Sequence, residues 1–482
     1  MRNRPFLPRA RSVCAVGVLL ASHSLSGQTT SGQTASAQTV SSPGAAQPTA
    51  AQAPTGAAQG QRPPAPTPPA PFLNRANEHL PSWLRVRGEF RERVEGIESI
   101  GFTDARDDYY SLSRVRVNVA VTPSPSFSFQ ANLHDARQSG KHVGSLAAPF
   151  RGPFDVRTAF ADVGSAKARV AFRVGRQELA FGEQRLLGHL AWVNTGRSWD
   201  AARMIVRTKP MQVDVFAASV VRNLTDEWDH SGFGNRLYGA YGSSTTLVPL
   251  ATFEPFFIFR RDENLASERG PRGTLQQTTT GVRLAGKLPA RLDYGVEMAA
   301  QRGSLAQDSV SAWAGHWQVR ESLPGKGAVK LISEYNYASG DRSGLDGTRG
   351  TFDQLYPTGH DKLGLSDQVG WKNVHHLREG VEVSPLKNTP ITLSYHTWWL
   401  ASRTDGLYAA TGALIARVPG GAASSHVGHE IDIQASRALT PQIALVGGYA
   451  YLLPGAFLKQ ATPGASFSAP YVMATYTFLA EK

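Results

Sequence analysis

Trp83–Glu95 reads W-L-R-V-R-G-E-F-R-E-R-V-E, and its residues sort by parity. Arg85, Arg87, Glu89, Arg91 and Arg93 fall on one side. Leu84, Val86, Gly88 and Phe90 fall on the other, and Glu92 interrupts the apolar row. A strand sends alternate residues to opposite faces, so one face suits lipid or a core. The other carries four guanidinium groups, and two residues rise about 6.6 Å along a strand. A soluble sandwich also hides one face and wets the other, so the fold depends on whether the pattern recurs.

It recurs to the C-terminus. Arg114, Arg116 and Asn118 alternate with Val115, Val117, Val119 and Val121, and Arg169 and Arg173 alternate with Val170, Phe172 and Val174. Asp293 and Glu297 oppose Leu292, Tyr294 and Val296, and Glu430, Asp432 and Gln434 oppose Ile431 and Ile433. Such segments predict about eighteen strands, near 83–95, 109–121, 127–137, 154–163, 169–178, 199–207, 212–221, 233–243, 250–261, 278–288, 291–302, 309–320, 328–339, 374–384, 390–400, 427–437, 442–452 and 470–478.

The connections sort by length. Every second one is short and carries turn residues: 122–126, 164–168, 208–211, 288–291, 322–327, 385–389 and 438–441. The intervening ones are long (96–108, 138–153, 179–198, 222–232, 262–277, 340–373, 401–426 and 453–469), with 303–308 the brief exception. Short turns on one side and long loops on the other describe an outer-membrane barrel. The expectation is all-β: one transmembrane antiparallel barrel over 83–478, with short periplasmic turns, long extracellular loops and both termini in the periplasm. A lipid-facing arginine costs roughly 2–4 kcal/mol at mid-bilayer. The arginines therefore face inward and the valines outward. Tyr109, Tyr110, Trp199, Trp313, Trp371, Trp398, Trp399, Tyr471, Tyr476 and Phe478 lie near strand ends and are available for interfacial girdles.

Composition agrees. The 482 residues are 41% apolar, and no run of 18 apolar residues offers a spanning helix. Arg2, Arg4, Arg9 and Arg11 precede the apolar run Val13–Ala21, so 1–27 reads as a secretory signal peptide. The only cysteine, Cys14, lies within it, leaving a mature chain without thiols. Residues 28–82 read as a disordered Gln/Thr/Ala/Pro-rich periplasmic linker. Net charge is +12, or about +8 without the four leader arginines. An exported chain with no nucleic-acid motif points to anionic solutes, outer-membrane lipid and lipopolysaccharide as counterparts, with no nucleic acid.

No catalytic, phosphate-loop or zinc motif is present, so neither enzyme activity nor a cofactor or metal is expected. Asp341, Asp346, Asp353, Asp361 and Asp367 crowd one loop, but their spacing fits no calcium loop and reads as solvated turn residues. The charged wall is the candidate site. Arg85, Arg87, Arg91, Arg93, Arg114, Arg116, Arg169, Arg173, Arg203 and Arg207 sit on the inner face of the first six strands. Asp293, Glu297, Glu334, Glu382, Glu430 and Asp432 come from later ones. Neighbours in sequence are neighbours in the wall, so a basic arc faces a more acidic one. Guanidinium groups bind carboxylates and phosphates bidentately, and a low-dielectric wall focuses their field on passing anions.

Several stretches resemble the bacterial alginate-export family of outer-membrane porins. They are Gly175-Arg176-Gln177-Glu178-Leu179 with Phe181-Gly182 and Arg185-Leu186, then Trp192-Val193-Asn194 with Arg197 and Trp199-Asp200. Glu334–Asp341 (E-Y-N-Y-A-S-G-D), Phe352-Asp353 with Tyr356-Pro357 and His360-Asp361, and Gly428–Asp432 (G-H-E-I-D) complete the set. The similarity spans essentially all of 83–478. It implies an eighteen-strand monomeric barrel that passes an anionic uronate polymer through an arginine-lined pore. The chain departs from the usual terminal aromatic, because Phe478 is followed by Leu-Ala-Glu-Lys. The expected function is a porin for anionic carbohydrate (oligosaccharide or polysaccharide) or other small anions. The alternatives are a plugged barrel serving as a surface receptor or scaffold, and a soluble secreted carbohydrate-binding β-protein.

Overall fold

A computed structural model describes residues 77–267, 270–325 and 327–478. The expected signal peptide and the expected linker up to residue 76 lie outside the described residues. Eighteen strands form the wall. The first nine are β1 (Leu84–Ile97), β2 (Asp108–Ser124), β3 (Phe127–Ser139), β4 (Gly152–Val163), β5 (Val170–Gln177), β6 (Trp199–Arg207), β7 (Gln212–Val220), β8 (Asn235–Ser243) and β9 (Ala251–Ala266). The rest are β10 (Arg272–Leu288), β11 (Leu292–Leu305), β12 (Asp308–Ser322), β13 (Lys330–Ala338), β14 (Val374–Leu386), β15 (Thr389–Leu400), β16 (His426–Ala438), β17 (Ile443–Pro454) and β18 (Phe467–Phe478). Each pairs antiparallel with its sequence neighbours, and β1 also pairs with β18, so the sheet closes and leaves no edge.

At the seam Gly88 lies opposite Phe478, whose ring covers the glycine. Asn77 brackets the start of β1, accepting from the Val86 N–H at 2.9 Å and donating to the Val86 carbonyl at 2.7 Å. Parity settles which face is which. Arg114 is 4% exposed on the inside, while its neighbour Val115 is 40% exposed on the outside. Gly175 shows how tightly β4 and β5 are drawn together. Its φ is +123°, and a Cβ there would stand 2.4 Å from the Ala159 carbonyl oxygen.

The periplasmic turns run from two to seven residues, and the longest connections are extracellular. One expected long loop is absent: 262–277 is mostly strand, and β9 and β10 stay paired up to Ala266 and Arg272. Arg272 reaches back to the Asn264 side chain at 2.6 Å and to its carbonyl at 2.5 Å. Above the bilayer both strand faces are wet, so the apolar alternation that marks a strand disappears while the ladder continues.

The girdle expectation also needs correction. Tyr109 and Trp313 face outward, but Tyr110, Trp199, Trp371, Trp398 and Tyr471 are buried. Tyr110 packs on Phe150 and Tyr471 on Trp192, while the three tryptophans belong to a core that lies inside the barrel. Wall residues Phe216, Tyr241 and Phe256 pack there against Leu179, Leu186 and Leu187 from loop 178–198 and Phe352, Leu355 and Tyr356 from loop 339–373. A short helix, α1 (Ala456–Ala461), adds Phe457 and Leu458. Inward-folded loops bury these apolar side chains much as a second sheet would.

Candidate functional site

Loop 178–198 crosses the lumen and is gripped at both ends. On the basic side, Arg91 donates to the carbonyls of Ala191 (3.0 Å), Trp192 (3.0 Å) and Val193 (3.3 Å). Arg114 reaches Ala191 and Val193 at 3.3 Å, and Arg116 reaches Thr195 at 3.3 Å. Arg93 donates to the Trp192 carbonyl at 2.5 Å and lies 3.8 Å above the Trp192 ring. Asn194, fully buried, spends its amide on the carbonyls of Ser113, Arg137 and Phe150. Only part of this charge is matched by acid: Glu89 pairs with Arg114, Glu95 with Arg93, and Glu178 with Arg157. Burial would raise the Glu178 carboxyl, but Arg157 and its cationic neighbours hold it below the ordinary value.

On the acidic side the same loop presents Arg185. It donates to Glu334 at 2.8 Å and lies 3.5 Å from Glu183, while Gln318 and Asn336 also donate to Glu334 at 3.0 and 2.9 Å. Arg283 bridges Glu183, at 2.9 Å, to Glu254. Burial opposes ionisation of Glu183, yet Arg185, His316 and Arg283 draw it down to about 2. The two arcs are thus the two halves of one socket. The basic arc takes the loop's carbonyls, and the acidic arc takes its arginine.

Loop 339–373 is held similarly. Glu430 and Asp432 accept the backbone N–H groups of Ser366 (3.2 Å) and Leu365 (2.9 Å). Asp353 meets Arg260 at 2.6 Å, which, against burial, brings it to about 2. The two loops pair with each other through a parallel bridge between Leu187 and Tyr356, with Gly188 N–H to Tyr356 and Tyr356 N–H to Leu186 both 2.9 Å. Trp192 also stacks on His360, centroids 3.7 Å apart, and His360 bonds Asp367 at 2.9 Å. Burial pulls the His360 imidazole down, but Asp367 more than offsets this and leaves it above the ordinary value.

Asn373 joins loop 339–373 to loop 401–425, donating to the carbonyls of Ser402 (3.0 Å) and Gly406 (2.9 Å) and accepting from the Ser402 N–H (2.7 Å). Asn373→Ala strands three backbone groups at a site with no exposure, at about 1–3 kcal/mol for each that stays dry. The expected result is rapid cleavage of loop 401–425 by external protease on intact cells, in a barrel that still folds. Cleavage at the parent's rate rejects the hub role.

The named residues divide into groups. Arg91, Arg93, Arg114 and Arg116 grip loop 178–198, and Glu334, Glu430 and Asp432 anchor loop segments. Arg173 is matched by Asp162 at 2.7 Å and Arg203 by Asp214 at 2.7 Å. Arg85 bonds the Pro81 and Leu84 carbonyls at 2.8 Å, and Arg207 bonds the Ala168 carbonyl at 3.2 Å. Arg87, on the inward parity of β1, and Arg169, in the turn before β5, stay exposed at the periplasmic end, with no ion pair among the described residues. Parity reading omitted Arg157, Arg283 and Arg378 on the wall and Glu183 and Arg185 on the loop. Arg283 and Arg378 have the inward parity of Glu297 and Glu334, which lie opposite them; Arg157 sits where the β3–β4 register shifts, and loop residues have no parity to read. The five aspartates of 339–373 do not converge. Asp341 and Asp346 cap backbone N–H groups, and Asp353, Asp361 and Asp367 each meet a different basic side chain.

Comparison with known proteins agrees with this architecture. Acinetobacter baumannii OccAB2 is 11% identical with a TM-score of 0.55, over 82% of this chain and 98% of that one. Pseudomonas aeruginosa OccK3 (OpdO) is 12% identical with a TM-score of 0.54, over 82% and 95%. The outer membrane protein opdK of Pseudomonas aeruginosa is 9% identical with a TM-score of 0.55, over 82% and 98%. These likenesses concern the fold. No curated protein matches the chain. A family model described as alginate export matches residues 82–472, nearly the whole barrel. With its closed eighteen-strand wall and loop-filled lumen, the chain belongs to the alginate-export family and is a porin-type barrel of the bacterial outer membrane.

Proposed function

We propose that this barrel passes anionic carbohydrate or other small anionic solutes and performs no catalysis. The observation that carries the reading is the placement of Arg87 and Arg169. Arg87 takes the inward parity of β1, Arg169 lies exposed in the turn before β5 next to Arg207, and neither has an acidic partner among the described residues. Their field is not cancelled locally, so an anion entering or leaving meets a favourable potential. The family description names alginate, a polyuronate, and a uronate carboxylate suits guanidinium recognition. Purified barrel in a planar bilayer, under a salt gradient, is expected to give a reversal potential of the anion-favouring sign. A cation-favouring sign overturns the proposal. A second reading, a plugged receptor or scaffold, draws on the core shared by loops 178–198 and 339–373. Conductance that appears only after those loops are deleted selects it.

A further inference from the structure

A line of buried polar side chains runs across the inner wall from one inserted loop to the other. It begins at Glu183, whose Oε2 lies 3.6 Å from His316 Nε2. His316 Nδ1 meets Asn336 Oδ1 at 2.8 Å, and Asn336 Nδ2 meets His376 Nδ1 at 2.8 Å. His376 Nε2 meets His396 Nδ1 at 2.9 Å, and His396 Nε2 lies 3.2 Å from Asp432 Oδ2. That same Asp432 oxygen accepts the Leu365 N–H.

The direction of every proton in the line is fixed. Arg185 can only donate, and it points at Asn336 Oδ1 from 3.4 Å. Glu334 accepts from Asn336 Nδ2 at 2.9 Å. The amide is thereby oriented, so His376 Nδ1 must accept. Its Nε2 then donates to His396 Nδ1, and His396 Nε2 donates to Asp432. Another proton on either ring sets donor against donor, and the amide cannot turn over to relieve it. Both rings are at most 1% exposed while the loop is in place.

We infer that the His376–His396 relay makes docking of segment 363–366 sensitive to pH, with acid releasing it. The sign follows from linkage. Docked, the relay has no position for an added proton; undocked, the rings meet lumen water and can take one up. Undocking therefore binds protons and is favoured as pH falls. Glu183 and Arg185 of loop 178–198, Glu334 of β13 and Arg378 of β14 face the relay from one side. Glu297 of β11 lies near Arg185, and Glu430 of β16 and Asp361 and Lys362 of loop 339–373 flank the other end. Glu183 and Asp353, both at about 2, stay ionised through the interval and are not the source of the response. His360 works against it, since the protonated ring holds Asp367 more firmly. His316 has a spare nitrogen 3.6 Å from Glu183.

The inference adds a regulated loop to the porin reading, and its test reads docking directly, whether or not the barrel conducts. Ser366→Cys, in a chain with Cys14→Ser, places a thiol at a buried position of the docked segment. Its labelling rate with a water-soluble alkylating probe, corrected for thiolate ionisation, is expected to rise about tenfold from roughly pH 7.5 to about 5. Adding His376→Gln and His396→Gln keeps neutral donors and acceptors and removes the titration, so labelling stays slow throughout. Asp432→Leu, which removes the oxygen that takes both N–H donors, makes labelling fast already at neutral pH. A misfolded barrel would label fast in both variants; the opposite responses separate the cases. A parent rate that does not change with pH, a glutamine variant that accelerates as the parent does, or a slow Asp432→Leu each overturns the relay.

Discussion

Arg185→Met is expected to destabilise the folded barrel by about 3–5 kcal/mol, the usual cost of removing one partner from a buried ion pair. Arg185 and Glu334 are both almost fully buried, 2.8 Å apart, and the guanidinium is what the loop delivers to the acidic wall. Methionine fills much of the volume and returns none of the charge. Glu334 retains Arg378, at 3.5 Å, and the amides of Gln318 and Asn336, which places the cost toward the lower end of that range. Urea unfolding in detergent measures it. The 183–187 end of the loop loses its anchor while the 191–195 end keeps its arginine grip, so single-channel current is expected to become larger and noisier. Pairing the change with Glu334→Leu provides the control. With both charges gone the desolvation penalty disappears too, and the double variant is expected to be more stable than Arg185→Met alone. Additive losses would show that the pair is not coupled.

Much of the wall could be read from parity, and little of the plug could. A strand spanning lipid repeats every two residues, and Arg114 beside Val115 states which side is wet. All eighteen strand positions follow from that rule and from turn spacing. The rule stops where the bilayer stops, which is why β9 and β10 overran their expected ends. It also fails inside the lumen. Trp199 and Trp398 stand at strand ends, as girdle residues do, yet face inward and are covered by loops whose fold depends on contacts far apart in sequence. Asn194 reaches wall carbonyls 57 and 81 residues away, and Arg185 finds Glu334 across 149. The family motifs did mark the place. Arg185, Asn194, Glu334, Asn336, Asp353, Tyr356, Glu430 and Asp432 all lie within them, and all meet in the lumen. The motif stretches locate the socket; the three-dimensional contacts say what each residue does in it.

Burial also divides the arginines by what they can do for a passing ion. Arg91 and Arg114 are only 3–4% exposed and donate to loop carbonyls, Arg114 also to Glu89, whereas Arg87 and Arg169 meet water directly. Arg87→Glu with Arg169→Glu is therefore expected to move the reversal potential toward cations without unseating either loop. A unit charge roughly 6 Å from an ion's path in water-like dielectric is worth about 0.7 kcal/mol, and reversing it doubles that. Screening at physiological salt removes about half, leaving roughly 0.7 kcal/mol per residue. The pair together should disfavour an anion about tenfold and favour a cation about tenfold, so the anion-to-cation permeability ratio should fall by about a hundredfold. The change should shrink as salt is raised, because exposed charges are the ones salt screens. Arg91→Met with Arg114→Met is expected to do the converse: current rises and fluctuates as the 191–195 segment loosens, while selectivity moves less. If the buried pair shifts selectivity more than the exposed pair, the arginine clamp itself lies on the solute's path, and the division of labour between Arg87 and Arg91 is wrong.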